Sequence, residues 1–174
     1  MNDFLTLDYL LKGNDRQRKA YLELQGLQLM ERLAPYSPIL VGTVPIGIDI
    51  PGSDLDVIVE VADFESFSEL MELHYGSHPG FMLEPKEIRD TPCLVTRFQG
   101  SHFPIEVFGQ AVPTVRQHAY RHMLVEHRIL QAHGSSFRDE VVALKKAGHK
   151  TEPAFAKVLG LAGDPYEALL EWED

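Results

Sequence analysis

Apolar and polar residues alternate between helical and strand periods along the first 112 residues, which predicts an α/β arrangement. A helical pattern begins at Asn14 or Asp15, either of which can cap it, and stops at Pro35. A second one follows Asp63, a further capping candidate, and runs to Leu73. A short helix is also predicted over residues 4–12. Short apolar runs bounded by turn residues predict strands at 38–41, 54–61, 81–86, 92–99 and 102–108.

From residue 113 onward the apolar spacing becomes helical and stays helical. Glycines interrupt this region and divide it into four predicted helices, at residues 114–132, 135–147, 152–160 and 164–172. No repeat, low-complexity tract or linker separates the two halves. We therefore predict one domain over residues 1–174, with an α/β core at 1–112 and a helical C-terminal part at 113–174 that caps it.

Charge and composition narrow the class of protein. The chain has 174 residues, of which 16 are basic and 26 acidic, for a net charge of −10. This balance argues against extended nucleic-acid binding but leaves room for a narrow basic pocket that holds one nucleotide. Cys93 is the only cysteine, so no internal disulfide can form. The chain start lacks the pattern of a signal peptide and no window approaches 18 apolar residues, so we expect a cytoplasmic protein without a membrane span.

Candidate chemistry concentrates in residues 41–56. A buried strand ends at a tight turn formed by Gly42 and Thr43, and the next strand opens with Asp54 and Asp56. Because side chains on a strand alternate with a period of two, both aspartates project to one face, about 7 Å apart. Two carboxylates held side by side repel each other unless a cation lies between them. Oxygen ligands of this kind suit magnesium, so the pattern predicts a magnesium site.

This stretch resembles a known signature. A Gly-Thr turn, ten residues and then Asp54-Leu55-Asp56 is similar to the pattern of the polymerase-beta-like nucleotidyltransferases. More closely, the segments GTVPIGIDIPGSDLDV, IEVFGQ and QHAYRHM resemble a small bacterial family of uncharacterised nucleotidyltransferase-like proteins, over residues 38–172. The resemblance implies a mixed, largely antiparallel sheet of the nucleotidyltransferase type, flanked by helices. It also implies that Glu106, on a later strand, occupies the third acidic position of the site.

By this resemblance the protein is expected to be a magnesium-dependent nucleotidyltransferase. It would move a nucleoside monophosphate from a nucleoside triphosphate, with ATP favoured, to a hydroxyl of a small molecule or protein. Asp54, Asp56 and Glu106 would be the catalytic residues and would hold a magnesium pair, with the ions roughly 3.5–4 Å apart. Glu60 competes for the place of the third acid. The candidates for nucleotide binding are Gly42, Thr43, Ser53, Gln117, Arg121 and Lys150.

Some of these residues also have structural interpretations. Gln117 shares a helical stripe with Arg121 and Arg128 that could hold triphosphate oxygens, but it also fits a capping box beginning at Thr114. The lysines around Gly148, which are Lys145, Lys146 and Lys150, form either a solvated face or part of a nucleotide site. The pair His118 and His122 has the spacing of zinc ligands but lacks a third one.

Two rival functions remain open. One is a catalytically silent module that binds nucleotides, such as a regulatory or toxin–antitoxin-like partner of another protein. It is favoured by Val44-Pro45-Ile46, where many relatives carry an arginine, and by glutamate in place of aspartate at position 106. The other is a phosphohydrolase that uses the same acids.

Overall fold

A five-stranded mixed sheet forms the centre of the protein. The structure is a computed structural model and describes residues 4–172. The strands are β1 (Ile39–Val41), β2 (Leu55–Glu60), β3 (Met82–Ile88), β4 (Thr91–Gln99) and β5 (Pro104–Gln110). Their order in the sheet is β1-β2-β5-β4-β3. The pair β2 and β5 is parallel and the other neighbours are antiparallel, which confirms the predicted mixed and largely antiparallel sheet.

Helices flank this sheet. They are α1 (Asp8–Leu11), α2 (Asp15–Leu27), α3 (Leu29–Arg32), α4 (Thr43–Ile46), α5 (Phe64–Tyr75), α6 (His118–Lys146), α7 (Thr151–Leu159) and α8 (Pro165–Leu170). Two short 3-10 turns cover Ala34–Tyr36 and Thr114–Arg116. Within residues 4–172, none of the helices combines the length and the hydrophobicity that a membrane span requires.

The N-terminal helices are shorter than the apolar pattern predicts. Asn14 caps α2 through a reciprocal box with Gln17, as expected from its position. The helix then stops at Gln28, whose φ of 52° is left-handed, and α3 begins after it. The periodicity runs through this break because both pieces place their apolar residues on the same core.

The first of the C-terminal helices, α6, differs from the prediction at both of its ends. Residues 114–116 form a 3-10 turn, and the capping box at Thr114 does not form. Beyond it, α6 continues through Gly134, where a φ of 76° makes a local break instead of a chain stop. After the break, Arg138 donates to the carbonyl of Ile46 at 2.9 Å, and Lys145 donates to the carbonyl of Ile48 at 2.8 Å. The second half of α6 is therefore bound to the end of α4 and to the loop between α4 and β2.

The two faces of the sheet carry separate apolar clusters. Leu55 and Val57 of β2 pack on α2 and α5, whereas Ile58 packs on α6 and α7. Since neighbouring residues of a strand face opposite sides, Asp56 lies on the face of Ile58, under the C-terminal helices. The sequence pattern of β2 thus decides which helices form the wall opposite the aspartate.

A buried acid holds the turn that precedes β5. The Glu23 side chain is 6% exposed and accepts hydrogen bonds from the backbone N–H groups of Ser101, at 2.6 Å, and His102, at 2.8 Å. These two donors lie in the connection between β4 and β5, so α2 fixes the start of the strand that carries Glu106.

We expect Glu23→Ala to lower the free energy of unfolding by about 1–3 kcal/mol, because two part-buried N–H donors lose a charged acceptor. Urea denaturation of the purified variant measures the change. The exposed Glu72→Ala on α5 is the matched control and should stay within about 0.5 kcal/mol of the wild type. Equal effects of the two substitutions would contradict the role of Glu23.

Candidate active site

The parallel pairing of β2 with β5 brings two of the predicted acids together. Asp56 lies directly across from Glu106 in the register of the two strands. Both line a cleft of about 610 Å³ between the sheet and the C-terminal helices, and Gly42 and Thr43 line the same cleft. Four residues that the sequence predicted for one site therefore share one cavity.

Gly42 allows the turn to lie against the aspartate. Its φ of 82° favours glycine, and a Cβ at this position would overlap Oδ2 of Asp56. Thr43 follows as the first residue of α4. The glycine in the Gly-Thr turn is thus required both by backbone conformation and by the close approach of a carboxylate.

The negative charges around Asp56 outweigh the positive ones. Burial, followed by the neighbouring charges of Asp54 and Glu106, raises the pKa of Asp56 from its ordinary value to about 7. Lys145 and Arg97 act in the opposite direction but do not offset these causes. A cation placed among the three acids would relieve this repulsion, as the sequence argument requires.

Glu106 already has a cationic partner. Nε of Arg97 contacts Oε2 of Glu106 at 2.7 Å, and Nη1 of the same arginine contacts Oε2 of Glu84 at 3.1 Å. Sequence reasoning missed Arg97. The signal for it is the β4–β5 hairpin, whose register places Arg97 across from Glu106.

The donors present fit magnesium through the aspartate pair. Magnesium commonly takes one or two carboxylates and fills its remaining positions with water and substrate phosphates. Asp54 is half-buried just before β2 and close enough to influence Asp56, although it does not line the cleft. Over residues 4–172, however, no three His, Cys, Asp or Glu side chains form a group that could hold a metal. The third position, assigned to Glu106, is occupied by its ion pair with Arg97.

Other predicted nucleotide-binding residues are more scattered. Gln117 lines the cleft and is buried. Ser53 accepts a hydrogen bond from the N–H of Ile50 at 3.0 Å, which closes a turn outside the cleft. Arg121 and Lys150 are exposed and do not line the cleft either. A role of these last three residues in nucleotide binding stays a prediction.

The histidines and lysines also have structural partners. His122 donates from Nε2 to the carbonyl of Tyr166 at 2.8 Å, and the His118 ring lies 3.2 Å from Nη1 of Arg89. These contacts give both rings a role without zinc. Lys145 is buried, so the interpretation of this lysine as part of a solvated face is wrong. Glu60, the competing third acid, is exposed and does not line the cleft.

A stripe on α6 forms the wall across from Asp56. Ala119, His122, Met123 and Glu126 follow the spacing i, i+3, i+4, i+7 and all line the cleft, together with Glu152 from the start of α7. Burial, and secondly the charge of Glu152, raises the pKa of Glu126 well above its ordinary value. Sequence reasoning placed the functional stripe on the Gln117–Arg121 side. The helical spacing alone could not tell which of the stripes lines the cleft.

Comparison with solved structures identifies the class of fold as that of the nucleotidyltransferases. The Cid1 poly(U) polymerase bound to MgGTP matches with a TM-score of 0.58 at 13% identity, over 88% of this chain and 53% of that chain. A cytoplasmic RNA terminal U-transferase matches with a TM-score of 0.55 at 16% identity, over 84% and 48%. The GLD-2/RNP-8 complex matches with a TM-score of 0.52 at 18% identity, over 87% and 60%. The chain thus spans about half the length of the first of these proteins.

The family is given by sequence. Residues 22–172 match the family described as domain of unknown function DUF4269, and the chain belongs to that family. A comparison with curated proteins finds no match.

We expect Gly42→Ala to disturb Asp56 in a way that a second glycine variant does not. Gly52 has a similar φ of 90°, but a Cβ there would have no atom within 4 Å, so Gly52→Ala carries the backbone strain alone. Both variants should lose about 1 kcal/mol of unfolding free energy through strain, and Gly42→Ala about 0.5–1.5 kcal/mol more, because the Asp56 carboxylate must rotate away from the added Cβ. Thermal unfolding measures the losses. Equal losses would show that the carboxylate does not depend on Gly42.

We expect Asp56→Asn to stabilise the metal-free protein increasingly as the pH rises. Because the pKa of Asp56 is higher in the folded state, at about 7, than its ordinary 3.8, folding is favoured at low pH and that contribution is lost as the pH rises through 7. The asparagine variant does not titrate. Its advantage over the wild type should therefore grow by about 2–3 kcal/mol between about pH 5 and pH 8.

Urea denaturation in the presence of a chelator measures this difference. The exposed Asp139→Asn on α6 controls for the loss of one carboxylate. If the free energies of unfolding of the wild type and of Asp56→Asn differ by the same amount at every pH in this range, the pKa of Asp56 is not raised as described.

Proposed function

We propose that the protein is a magnesium-dependent nucleotidyltransferase that moves a nucleoside monophosphate from a nucleoside triphosphate to a hydroxyl of a small molecule or protein. The observation that carries this proposal is the arrangement of Asp56 and Glu106, which are in register on one sheet face beside Gly42. The cleft that they line, at about 610 Å³, lies within the usual range for small-molecule sites.

The roles of the residues follow from their chemistry. Asp54 and Asp56 would hold magnesium, and Glu106 would join them, with a second ion as the sequence resemblance implies. When bound, the metal would neutralise phosphate charge and lower the pKa of the attacking hydroxyl. Gly42 and Thr43 would contact phosphate oxygens. Arg97 would hold Glu106 in orientation while its guanidinium stays close to the acids.

The structural neighbours support a nucleoside triphosphate as substrate and magnesium as the metal, but they do not indicate the acceptor. The matched Cid1 structures include complexes with MgGTP and Mg 3'-dATP, and another neighbour is an RNA terminal U-transferase. The net charge of −10 argues against RNA as the acceptor of this chain. ATP as the favoured nucleotide, a protein partner, a cytoplasmic location and membership of a small bacterial nucleotidyltransferase-like family remain predictions.

A catalytically silent nucleotide-binding module is the second candidate. It is favoured by the ion pair between Arg97 and Glu106, because this contact occupies the carboxylate that would complete the metal site. If the pair persists when nucleotide is bound, the third acid is withheld and turnover is lost.

The decisive experiment supplies magnesium and each of the four nucleoside triphosphates, labelled at the α-phosphate, together with a small-molecule extract or a protein fraction. The wild type should transfer label to an acceptor and release pyrophosphate. Asp56→Asn should reduce transfer at least about 100-fold, because a metal ligand worth several kcal/mol is removed. Circular dichroism checks the fold, and Asp139→Asn is the control.

Each other result selects a different function. Release of free labelled nucleotide without transfer indicates a phosphohydrolase. Binding of the triphosphate without any product indicates the silent module. Wild-type transfer by Asp56→Asn would show that the assignment of this residue is wrong.

A further inference from the structure

A row of charged side chains crosses the face of the sheet that carries Asp56 and reaches the outer strand. Its members alternate in sign, come from three neighbouring strands and are called the charge row below: Lys86 and Glu84 of β3, Arg97 of β4 and Glu106 of β5. The strand register accounts for it. Arg97 lies across from Glu106 on one side and from Met82 on the other, so Glu84 is its diagonal neighbour on the same face.

One oxygen of Glu84 serves two cations. Its Oε2 lies 3.0 Å from Nζ of Lys86 and 3.1 Å from Nη1 of Arg97. The two basic groups therefore compete for a single acceptor. Without Lys86, this oxygen would be left to Arg97. Without the charge of Glu84, Arg97 would keep Glu106 as its only acidic partner among residues 4–172.

Arg97 connects Glu84 to the candidate metal site. It uses separate nitrogens for its two acids, Nε for Glu106 at 2.7 Å and Nη1 for Glu84. Because a guanidinium carries several donors in a fixed fork, Arg97 can keep one acid while it gives up the other. A guanidinium that lost Glu106 and had no second acid would be an unpaired cation close to a metal ion, which is unfavourable. Glu84 thus lowers the cost of releasing Glu106.

The exposure of the charge row makes such an exchange feasible. Its four side chains are between 26% and 43% exposed. Ion pairs with this much solvent contact add little net stability, so stabilising the fold is a weak explanation for the row. Small differences in energy are nevertheless enough to change how Glu106 is shared between an arginine and a second cation.

We infer that Glu84 is a positioning residue for the candidate metal site. It retains Arg97 so that Glu106 can turn from its ion pair to a divalent cation, and Lys86 weakens this effect by competing for the same oxygen. The inference rests on the proposed function, since Glu106 would be the third acid of that metal site. The balance between Glu84 and Lys86 then decides whether Glu106 is available to the metal.

Binding of Mn²⁺, measured through the relaxation of water protons, tests the inference. Mn²⁺ takes the same oxygen ligands as Mg²⁺, and the measurement needs neither nucleotide nor turnover. Glu84→Gln should weaken binding about threefold to fivefold, because Arg97 then pairs with Glu106 alone. Lys86→Gln should strengthen binding by about the same factor, because Glu84 then holds Arg97 more firmly. Asp56→Asn measures the ions bound elsewhere on this acidic chain.

A double-mutant cycle separates this effect from a change of charge acting through space. In an Arg97→Met background, the effects of Glu84→Gln and Lys86→Gln should disappear, since both act through Arg97. Effects that persist unchanged in that background would overturn the inference. Glu87→Gln removes the same charge from an exposed position on the opposite face of β3 and should leave the affinity for Mn²⁺ unchanged.

The remaining outcomes show which statement fails. Thermal unfolding without metal checks that each variant is folded. If Glu84→Gln and Lys86→Gln shift the affinity in the same direction, the charge row has only a structural role and the inference is overturned. If Asp56→Asn abolishes binding but neither variant changes it, this inference alone fails. If the wild type neither binds Mn²⁺ nor transfers label from a nucleoside triphosphate, the proposed function fails with it.

Discussion

The structure depends above all on the parallel pairing of β2 with β5. These strands are far apart in the sequence, and their hydrogen bonding is what sets Asp56 across from Glu106. The rest of the fold supports this pair. Glu23 fixes the turn that leads into β5, Gln117 ties the start of α6 to the end of β2, and apolar clusters on both faces hold the sheet between helices. A one-residue slip between the two strands would turn one acid away from the other.

This arrangement of acids has an electrostatic cost for the folded protein. Asp56 is placed where burial and two neighbouring acids oppose its ionisation, and a protein gains no stability from such a placement. The same protein places Glu126 inside the opposite wall of the cleft, again with an acid beside it. Acids whose pKa is strongly raised by burial and by a neighbouring charge, and which line one cleft, are typical of functional sites.

Much of the fold and the centre of the site could be predicted because their signals are local. The Gly42-Thr43 turn and the two aspartates lie within one short stretch, and strand periodicity tells which residues share a face. The rest depends on contacts between distant segments. Arg97 becomes relevant only through the register of a hairpin. Gln117 does not complete the expected capping box, because its amide donates to the distant carbonyl of Val59 and to that of Val112. Helical spacing likewise cannot show which stripe of α6 lines the cleft. The burial of Lys145 also depends on contacts between distant segments.

The break of α6 at Gly134 has a mechanical consequence. Beyond it, the helix is fastened by Arg138 and Lys145 to backbone carbonyls of the segment that joins the Gly-Thr turn to the aspartates. The C-terminal helices are therefore not a hinged cover that can swing off the sheet by itself. Any widening of the cleft has to carry that segment along or exchange those hydrogen bonds for water, so ligand entry and the positioning of the acids are mechanically linked.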